Sequence, residues 1–178
     1  DAMLACVKHY AAYGAATAGR DYNTVDMSER FFREYYLPPY KAAVEAGAAT
    51  VMTSFNDYDG VPVSGNKYLL TNILRNEWGF KGFVVTDYTT INEMVLHGVV
   101  ANEKEAGELA LNAGVDMDMQ GAVFQRFTKQ SVKEGKVMRQ QIDEAVRRIL
   151  RLKFELGLFD DPYKFCDENR EKATLLSP

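Results

Sequence analysis

Charged side chains follow three short apolar segments of this sequence, at positions where the strands of a parallel sheet would end. They are Lys8-His9, Asp87 and Asp116-Met-Asp118. In parallel βα architectures the carboxyl ends of the strands meet on one side of the sheet, where loops and helix N-termini build active sites. A carboxylate at such an end is a candidate nucleophile or base, and the Lys-His pair offers donors for sugar hydroxyls, carboxylates or phosphates.

Each of these groups also has a purely structural interpretation. A solvated Lys8 and a packed, hydrogen-bonded His9 fit the sequence equally well. Asp87 could cap the following helix, although Thr90 with Glu93 three residues later forms a better capping box. The sequence pattern alone leaves both interpretations of Asp87 open.

Several other kinds of site are disfavoured by the motifs. Asp116 and Asp118 fall on one face of their segment by alternation, but a metal site would need a third ligand at characteristic spacing, so we predict no metal and no cofactor. The serines lack a Gly-x-Ser-x-Gly context. The glycines form neither a dinucleotide-binding nor a Walker pattern.

The elements that must position these side chains follow a repeated βα pattern. Four apolar runs have strand length: Met3 to Val7, Ala48 to Phe55, Gly82 to Asp87 and Val115 to Met119. Helical spacing follows in residues 28–46, 69–78, 105–113, 122–134 and 140–156. The strand ends lie roughly 46, 32 and 32 residues apart, which is typical of βαβ crossovers. An eight-unit barrel takes ~250 residues, so we predict an α/β fold with about four βα units, half of a (β/α)8 barrel, plus an exit helix. A small open α/β sheet is the alternative.

Composition restricts the class of protein. The chain has 178 residues, 47% of them hydrophobic, and 21 basic against 25 acidic side chains for a net charge of −4. This balance excludes a disordered tail and argues against nucleic acid or an anionic membrane as the main partner. No run approaches the ~20 apolar residues of a membrane span.

The chain opens on Asp1 inside an apolar run and turns polar after residue 159, so we expect a piece of a longer protein, with residues 1–159 in one domain and 160–178 linking to a downstream one.

Aromatic residues are concentrated near the predicted strand ends. Such rings can stack on the apolar face of a pyranose, although in this class of fold they more often belong to the core. They are Tyr10, Tyr13, Phe55, Tyr58 and Tyr88.

A series of motifs, in order and spacing, resembles glycoside hydrolase family 3, the β-glucosidase and β-xylosidase family, and its bacterial periplasmic branch most closely. The motifs are Val7-Lys-His-Tyr10, Gly19-Arg-Asp-Tyr-Asn-Thr-Val-Asp-Met-Ser28, Leu37-Pro-Pro-Tyr-Lys41, Val51-Met-Thr-Ser-Phe-Asn56, Gly60-Val-Pro62, Trp78-Gly-Phe-Lys-Gly-Phe-Val-Val-Thr-Asp87 and Gly157-Leu-Phe-Asp-Asp-Pro-Tyr163. The resemblance covers nearly the whole chain. It implies the second half of the family's (β/α)8-like barrel domain.

The resemblance also implies roles for individual residues. Asp87 matches the catalytic nucleophile, and Lys8 and His9 match the pair that binds hydroxyls of the sugar in the −1 subsite. Phe55 stands where many members have Tyr, and Tyr88 stands where Trp is common. Met119 falls near the pocket rim. The loop from Tyr10 to Gly14 contains no His, which argues against the hexosaminidase branch.

The implied reaction is retaining hydrolysis of a carbohydrate through a covalent glycosyl-Asp87 intermediate. It needs a second carboxyl group, for which Asp21 and Glu93 are candidates by position, although the family takes this group from a following domain. We therefore expect the chain alone to be inactive or nearly so, and a half-barrel with open strand edges to self-associate. Periplasmic or secreted localisation is implied by the resemblance only. The alternatives are a non-catalytic sugar-binding or assembly piece, and a Schiff-base lyase using Lys8.

Overall fold

A parallel β-sheet forms the centre of the fold, which the computed structural model describes for residues 3–176. The strands are β1 (Cys6–Tyr10), β2 (Thr50–Thr53), β3 (Asp57–Tyr58), β4 (Val61–Pro62) and β5 (Phe83–Val85). Strands β1, β2 and β5 make one three-stranded sheet in that order, with both pairs parallel. Strands β3 and β4 form a separate antiparallel hairpin. The predicted α/β class is confirmed.

Helices connect and cover the strands. They are α1 (Glu29–Phe31), which continues as a π-helix over Phe32–Tyr36, α2 (Pro38–Glu45), a second π-helix over Tyr68–Glu77, α3 (Thr90–Glu93), α4 (Glu103–Ala113), α5 (Val123–Lys133), α6 (Arg139–Glu155) and α7 (Glu168–Thr174). Side chains cap several of them: Ser28 accepts from the Phe31 N–H and Asn102 from the Glu105 N–H. No helix in residues 3–176 combines the length and the hydropathy that crossing a membrane requires.

The first three predicted strands are present, but with different bounds. The first begins and ends three residues later than predicted, and the second and third are shorter at both ends. The prediction was wrong here because an apolar run records burial, whereas a strand ends where its ladder of backbone hydrogen bonds ends.

The fourth predicted strand, residues 115–119, is reduced to one parallel bridge between Met117 and Val85. The amides of Asp116 and Met117 both donate to the Val84 carbonyl, at 2.9 and 3.1 Å. The Val84 N–H donates to the Asp116 carboxylate at 2.8 Å instead of to a backbone carbonyl. A side chain therefore takes the place of one ladder bond, and the regular strand does not extend.

Three further local predictions need correction or completion. The segment predicted as a plain loop after Phe55 contains the β3–β4 hairpin. The residue at the N-cap position of α3 is Thr89 rather than Thr90; its side chain accepts no helix N–H, and its hydroxyl donates to Glu93 at 3.1 Å. Helix α7 lies within region 160–178, whose role as a linker stays a prediction. Of the predicted regions 1–159 and 160–178, residues 1–2 and 177–178 lie outside the described part of the chain.

The core lies between the sheet and the helices. It contains two of the aromatic residues, Tyr10 and Tyr58, that were candidates for stacking on a sugar ring. Tyr10 is fully buried and donates its hydroxyl to the Leu69 carbonyl at 3.0 Å. Tyr58 stacks on Phe32 with ring centroids 4.4 Å apart. Each fully buried large apolar side chain contributes about 1.5–3 kcal/mol by leaving water. Other members of the core are Val51, Leu70, Ile73, Leu74, Val84, Ile91 and Met94.

Candidate active site

The side chains of Asp87 and His9 meet at the carboxyl ends of β5 and β1. His9 Nε2 lies 3.1 Å from Asp87 Oδ2, and the two side chains are 24% and 17% exposed. The other carboxylate oxygen, Oδ1, accepts the Tyr88 N–H at 2.7 Å. One oxygen of Asp87 thus lies beside His9, the other accepts a backbone N–H, and part of the group still faces solvent; an exposed carboxylate of this kind can act chemically as a nucleophile or a base.

His9 favours its neutral form in this environment. Burial and the neighbouring Lys8 charge lower its pKa below 6.5, while Asp87 and Asp21 act in the opposite direction. A neutral imidazole with its proton on Nε2 can donate to Asp87. The Tyr40 hydroxyl, at 2.5 Å, donates to the His9 carbonyl and holds the end of β1.

Aromatic rings extend the site away from Asp87. The ring of Tyr13 lies 5.0 Å from that of His9 and 6.0 Å from that of Phe55, measured between centroids. Tyr22 packs edge-on against Phe55 at 4.5 Å. Burial, followed by a hydrogen bond to Asp21, raises the pKa of Tyr13, so its hydroxyl stays protonated.

The remaining predicted site residues lie around this group at different depths. Phe55 is buried in contact with Tyr13 and Tyr22. Tyr88 is exposed and reaches the site through its backbone N–H. Met119 is tied to the turn that carries Asp87, because its N–H donates to the Thr86 hydroxyl at 2.9 Å. Lys8 is exposed on β1, and its charge lowers the pKa of His9.

Two further carboxylates, Asp21 and Glu93, lie near this group. Asp21 interacts with His9 and Tyr13, as described above. Burial and then the charges of Glu93, Asp21 and Asp87 raise the pKa of Tyr22. The positions of Asp21 and Glu93 could be predicted from sequence, but the place of Tyr22 could not, because its loop has no periodic pattern; a tyrosine inside a polar segment was the available signal.

The two aspartates of the fourth segment turn away from the site. Asp116 is buried between Arg75 and Arg148, at 2.5 and 2.7 Å. Asp118 caps α5, accepting the Val123 N–H at 2.7 Å. Within residues 3–176 no three His, Cys, Asp or Glu side chains are grouped so that they could hold a metal ion.

Comparisons with known proteins agree on one family. The model described as glycosyl hydrolase family 3 N terminal domain matches residues 1–152. A periplasmic β-glucosidase of Salmonella typhimurium is 44% identical over 161 residues, which is 90% of this chain and 21% of that protein. A β-xylosidase of Formosa agariphila is 39% identical over an alignment of 182 positions that covers 97% of this chain and 25% of that protein.

Solved structures give the same result for the fold. The crystal structure of a β-glucosidase from Listeria innocua superimposes with a TM-score of 0.93 at 46% identity, covering 98% of this chain and 24% of that one. The chain therefore spans between a fifth and a quarter of the length of the proteins it matches.

Proposed function

The chain belongs to glycosyl hydrolase family 3, and on that basis we propose that it carries the nucleophile of a retaining β-glycosidase, with Asp87 in that role. The observation that supports this most directly is the orientation of the Asp87 carboxylate by His9 Nε2 and the Tyr88 N–H at the end of a parallel sheet. The substrate is a terminal β-linked sugar. Structures of the Listeria innocua β-glucosidase hold glucose and, in a mutant, laminaribiose.

The proposed reaction has two steps. The free lone pair of the Asp87 carboxylate attacks the anomeric carbon, the bond from that carbon to the leaving oxygen breaks, and the leaving oxygen takes a proton from an acid. Water then attacks the same carbon, the ester to Asp87 breaks, and the water's proton passes to a base. Lys8 and His9 bind sugar hydroxyls, and Phe55, Tyr88 and Met119 line the sugar site.

The acid that protonates the leaving oxygen lies, in this proposal, outside the chain. A retaining site needs its second carboxyl group ~5–5.5 Å from the nucleophile, and we propose that neither Asp21 nor Glu93 supplies it.

We propose that residues 1–159 form half of a (β/α)8 barrel domain, that 160–178 lead to a further domain, and that the periplasm is the compartment, as for the Salmonella relative.

An activated substrate tests the nucleophile without the acid. Dinitrophenolate leaves without protonation, and fluorine at C2 slows release of the intermediate, so 2,4-dinitrophenyl 2-deoxy-2-fluoro-β-D-glucoside should label Asp87 covalently. Mass spectrometry of the intact chain and its peptides is the measurement. Asp87→Asn should abolish labelling, and the exposed Asp59→Asn should not. The absence of labelling in the unmodified chain would reject Asp87 as nucleophile, whereas hydrolysis of cellobiose by that chain would reject its dependence on an external acid.

The structure argues against one of the two alternative functions, and the labelling experiment tests the other. A Schiff-base lysine is usually activated by an apolar, desolvated environment, and Lys8 is exposed. Sugar binding without turnover needs the same residues as the proposal, so labelling of Asp87 separates the two.

A further inference from the structure

We propose that Tyr22 is the outer wall of the sugar site and binds the group that leaves, whether a second sugar or an aromatic aglycone; this rests on the glycosidase function proposed above. Aromatic faces bind sugar rings through their apolar C–H surface and bind aryl groups by stacking. The inference makes Tyr22 a specificity-determining residue of the same site.

A continuous row of contacts connects Tyr22 to Asp87. It runs from Asp87 to His9, to Tyr13, to Phe55 and finally to Tyr22, and every neighbouring pair of rings in it lies within 6.0 Å. Exposure increases along the last step: Phe55 is 9% exposed and Tyr22 is 44% exposed. Tyr22 is thus the exposed end of this row. In this proposal the leaving group lies against Tyr22, and the sugar that is attacked lies toward Asp87 and His9.

The backbone at Tyr22 is held in an uncommon conformation. Its φ is +62°, in the left-handed region that bulky residues rarely adopt. Strained backbone of this kind persists where surrounding contacts hold it, and it is concentrated at binding sites. In this conformation the ring of Tyr22 packs against Phe55 on one side and stays partly exposed to solvent.

The loop that carries Tyr22 is fastened on both sides. The Thr17 hydroxyl donates to the Thr24 carbonyl at 2.9 Å, and the Asn23 amide donates to the Thr17 carbonyl at 3.2 Å. The Thr24 hydroxyl donates to the Asp57 carboxylate at 2.9 Å, which ties the loop to the β3–β4 hairpin. Tyr22 is thus positioned before a ligand arrives, and little ordering entropy remains to be lost on binding.

The hydroxyl of Tyr22 adds a polar contact to the apolar ring face. Burial raises its pKa, and the charges of Glu93, Asp21 and Asp87 add to this effect. It therefore stays a donor at neutral pH and can donate to a ring or hydroxyl oxygen of the leaving sugar.

A comparison of two ligands distinguishes binding at Tyr22 from binding at the inner residues. The probes are glucose, which fills only the inner site, and phenyl β-D-glucoside, which fills both; Kd is measured by calorimetry or NMR on the 178-residue chain. Tyr22→Ala should weaken phenyl glucoside roughly 3- to 10-fold, a range set by one aromatic pair, and leave glucose within about twofold. Tyr22→Phe should recover most of the loss. The exposed Tyr35→Ala, which pairs with Phe31 away from the site, should change neither.

Each contrary outcome has a defined meaning. Equal weakening of both ligands would place Tyr22 at the inner site, and no weakening of either would remove it from the site; both results overturn the inference. If neither ligand binds the unmodified chain, or if binding is insensitive to His9→Ala, the proposed function itself fails for this chain and the inference fails with it. Circular dichroism of each variant confirms that the fold is retained.

Discussion

The protonation of His9 depends on burial and on neighbouring charges of both signs. Burial and Lys8 lower its pKa, and Asp87 raises it. Because the folded value lies below that of the unfolded chain, protonation of His9 opposes folding as the pH falls below about 6.5. At neutral pH the imidazole is uncharged and can donate a hydrogen bond to Asp87 without neutralising its charge.

Substitution of the two neighbours should move the pKa of His9 in opposite directions. Lys8→Gln removes a repelling positive charge and should raise it, whereas Asp87→Asn removes an attracting negative charge and should lower it further. NMR titration of the imidazole signals is the measurement. The chain has only two histidines, so His97→Gln completes the assignment. Shifts of the same sign in both variants would contradict the arrangement described here.

Single-residue roles were predictable only where a residue follows a recognisable strand. Asp87 and His9 end apolar runs, and parallel strands bring such ends to one side. Tyr22 belongs to a loop that is tied to Asp57, more than thirty residues later, through Thr24. No local pattern records such a long-range contact, so the place of Tyr22 could not be predicted.

At the scale of elements, the Asp116 ion cluster joins three parts of the fold. Arg75 belongs to the π-helix over Tyr68–Glu77 and Arg148 to α6, and both reach the carboxylate that also accepts the Val84 N–H of β5. The Asp116 side chain is only 1% exposed. Burial lowers the pKa of Arg75, Asp116 acts against this, and Arg148 adds to it. The cluster fixes the strand whose end carries Asp87.

Asp116→Asn should destabilise the fold strongly. It keeps the shape and an acceptor for Val84 but removes the counter-charge of the buried Arg75 and leaves Arg148 with its partly exposed contact to Glu144 at 3.4 Å; breaking a buried pair costs about 3–5 kcal/mol. Urea unfolding monitored by circular dichroism gives the free energy of unfolding. Asp143→Asn is the matched control, because Asp143 pairs with Arg139 on the exposed face of α6 and should cost less than about 1 kcal/mol. Equal losses in the two variants would show that the cluster does not stabilise the fold.

The type and order of the elements were predictable, and their ends were not. Helix α6 was predicted within one residue at each end because its apolar spacing is regular over four turns. Segment 115–119 has an equally clear alternation of Asp and Met, yet it makes a single bridge. There the deciding interaction is a side-chain carboxylate competing for a backbone donor, which hydrophobic periodicity does not record.

At the scale of the whole molecule, two features of the exposed surface bear on self-association. Helix α6 presents Val146, Leu150 and Phe154 at intervals of four residues, exposed to 47%, 45% and 70%. Within residues 3–176, β1 has a ladder partner on one edge only, namely β2. An apolar stripe and an open strand edge on one small fold both favour association between copies.

The chain should therefore self-associate in solution. We expect dimers or larger species at concentrations of about 50 μM, since burying two or three such side chains per copy yields several kcal/mol. Leu150→Glu places a charge in the middle of the stripe and should weaken association roughly tenfold or more, and Tyr163→Glu, exposed outside it, should not. Sedimentation velocity across a concentration series measures this. A monodisperse monomer in the unmodified chain would contradict the prediction, and association unaffected by Leu150→Glu would assign it to the open edge of β1 instead.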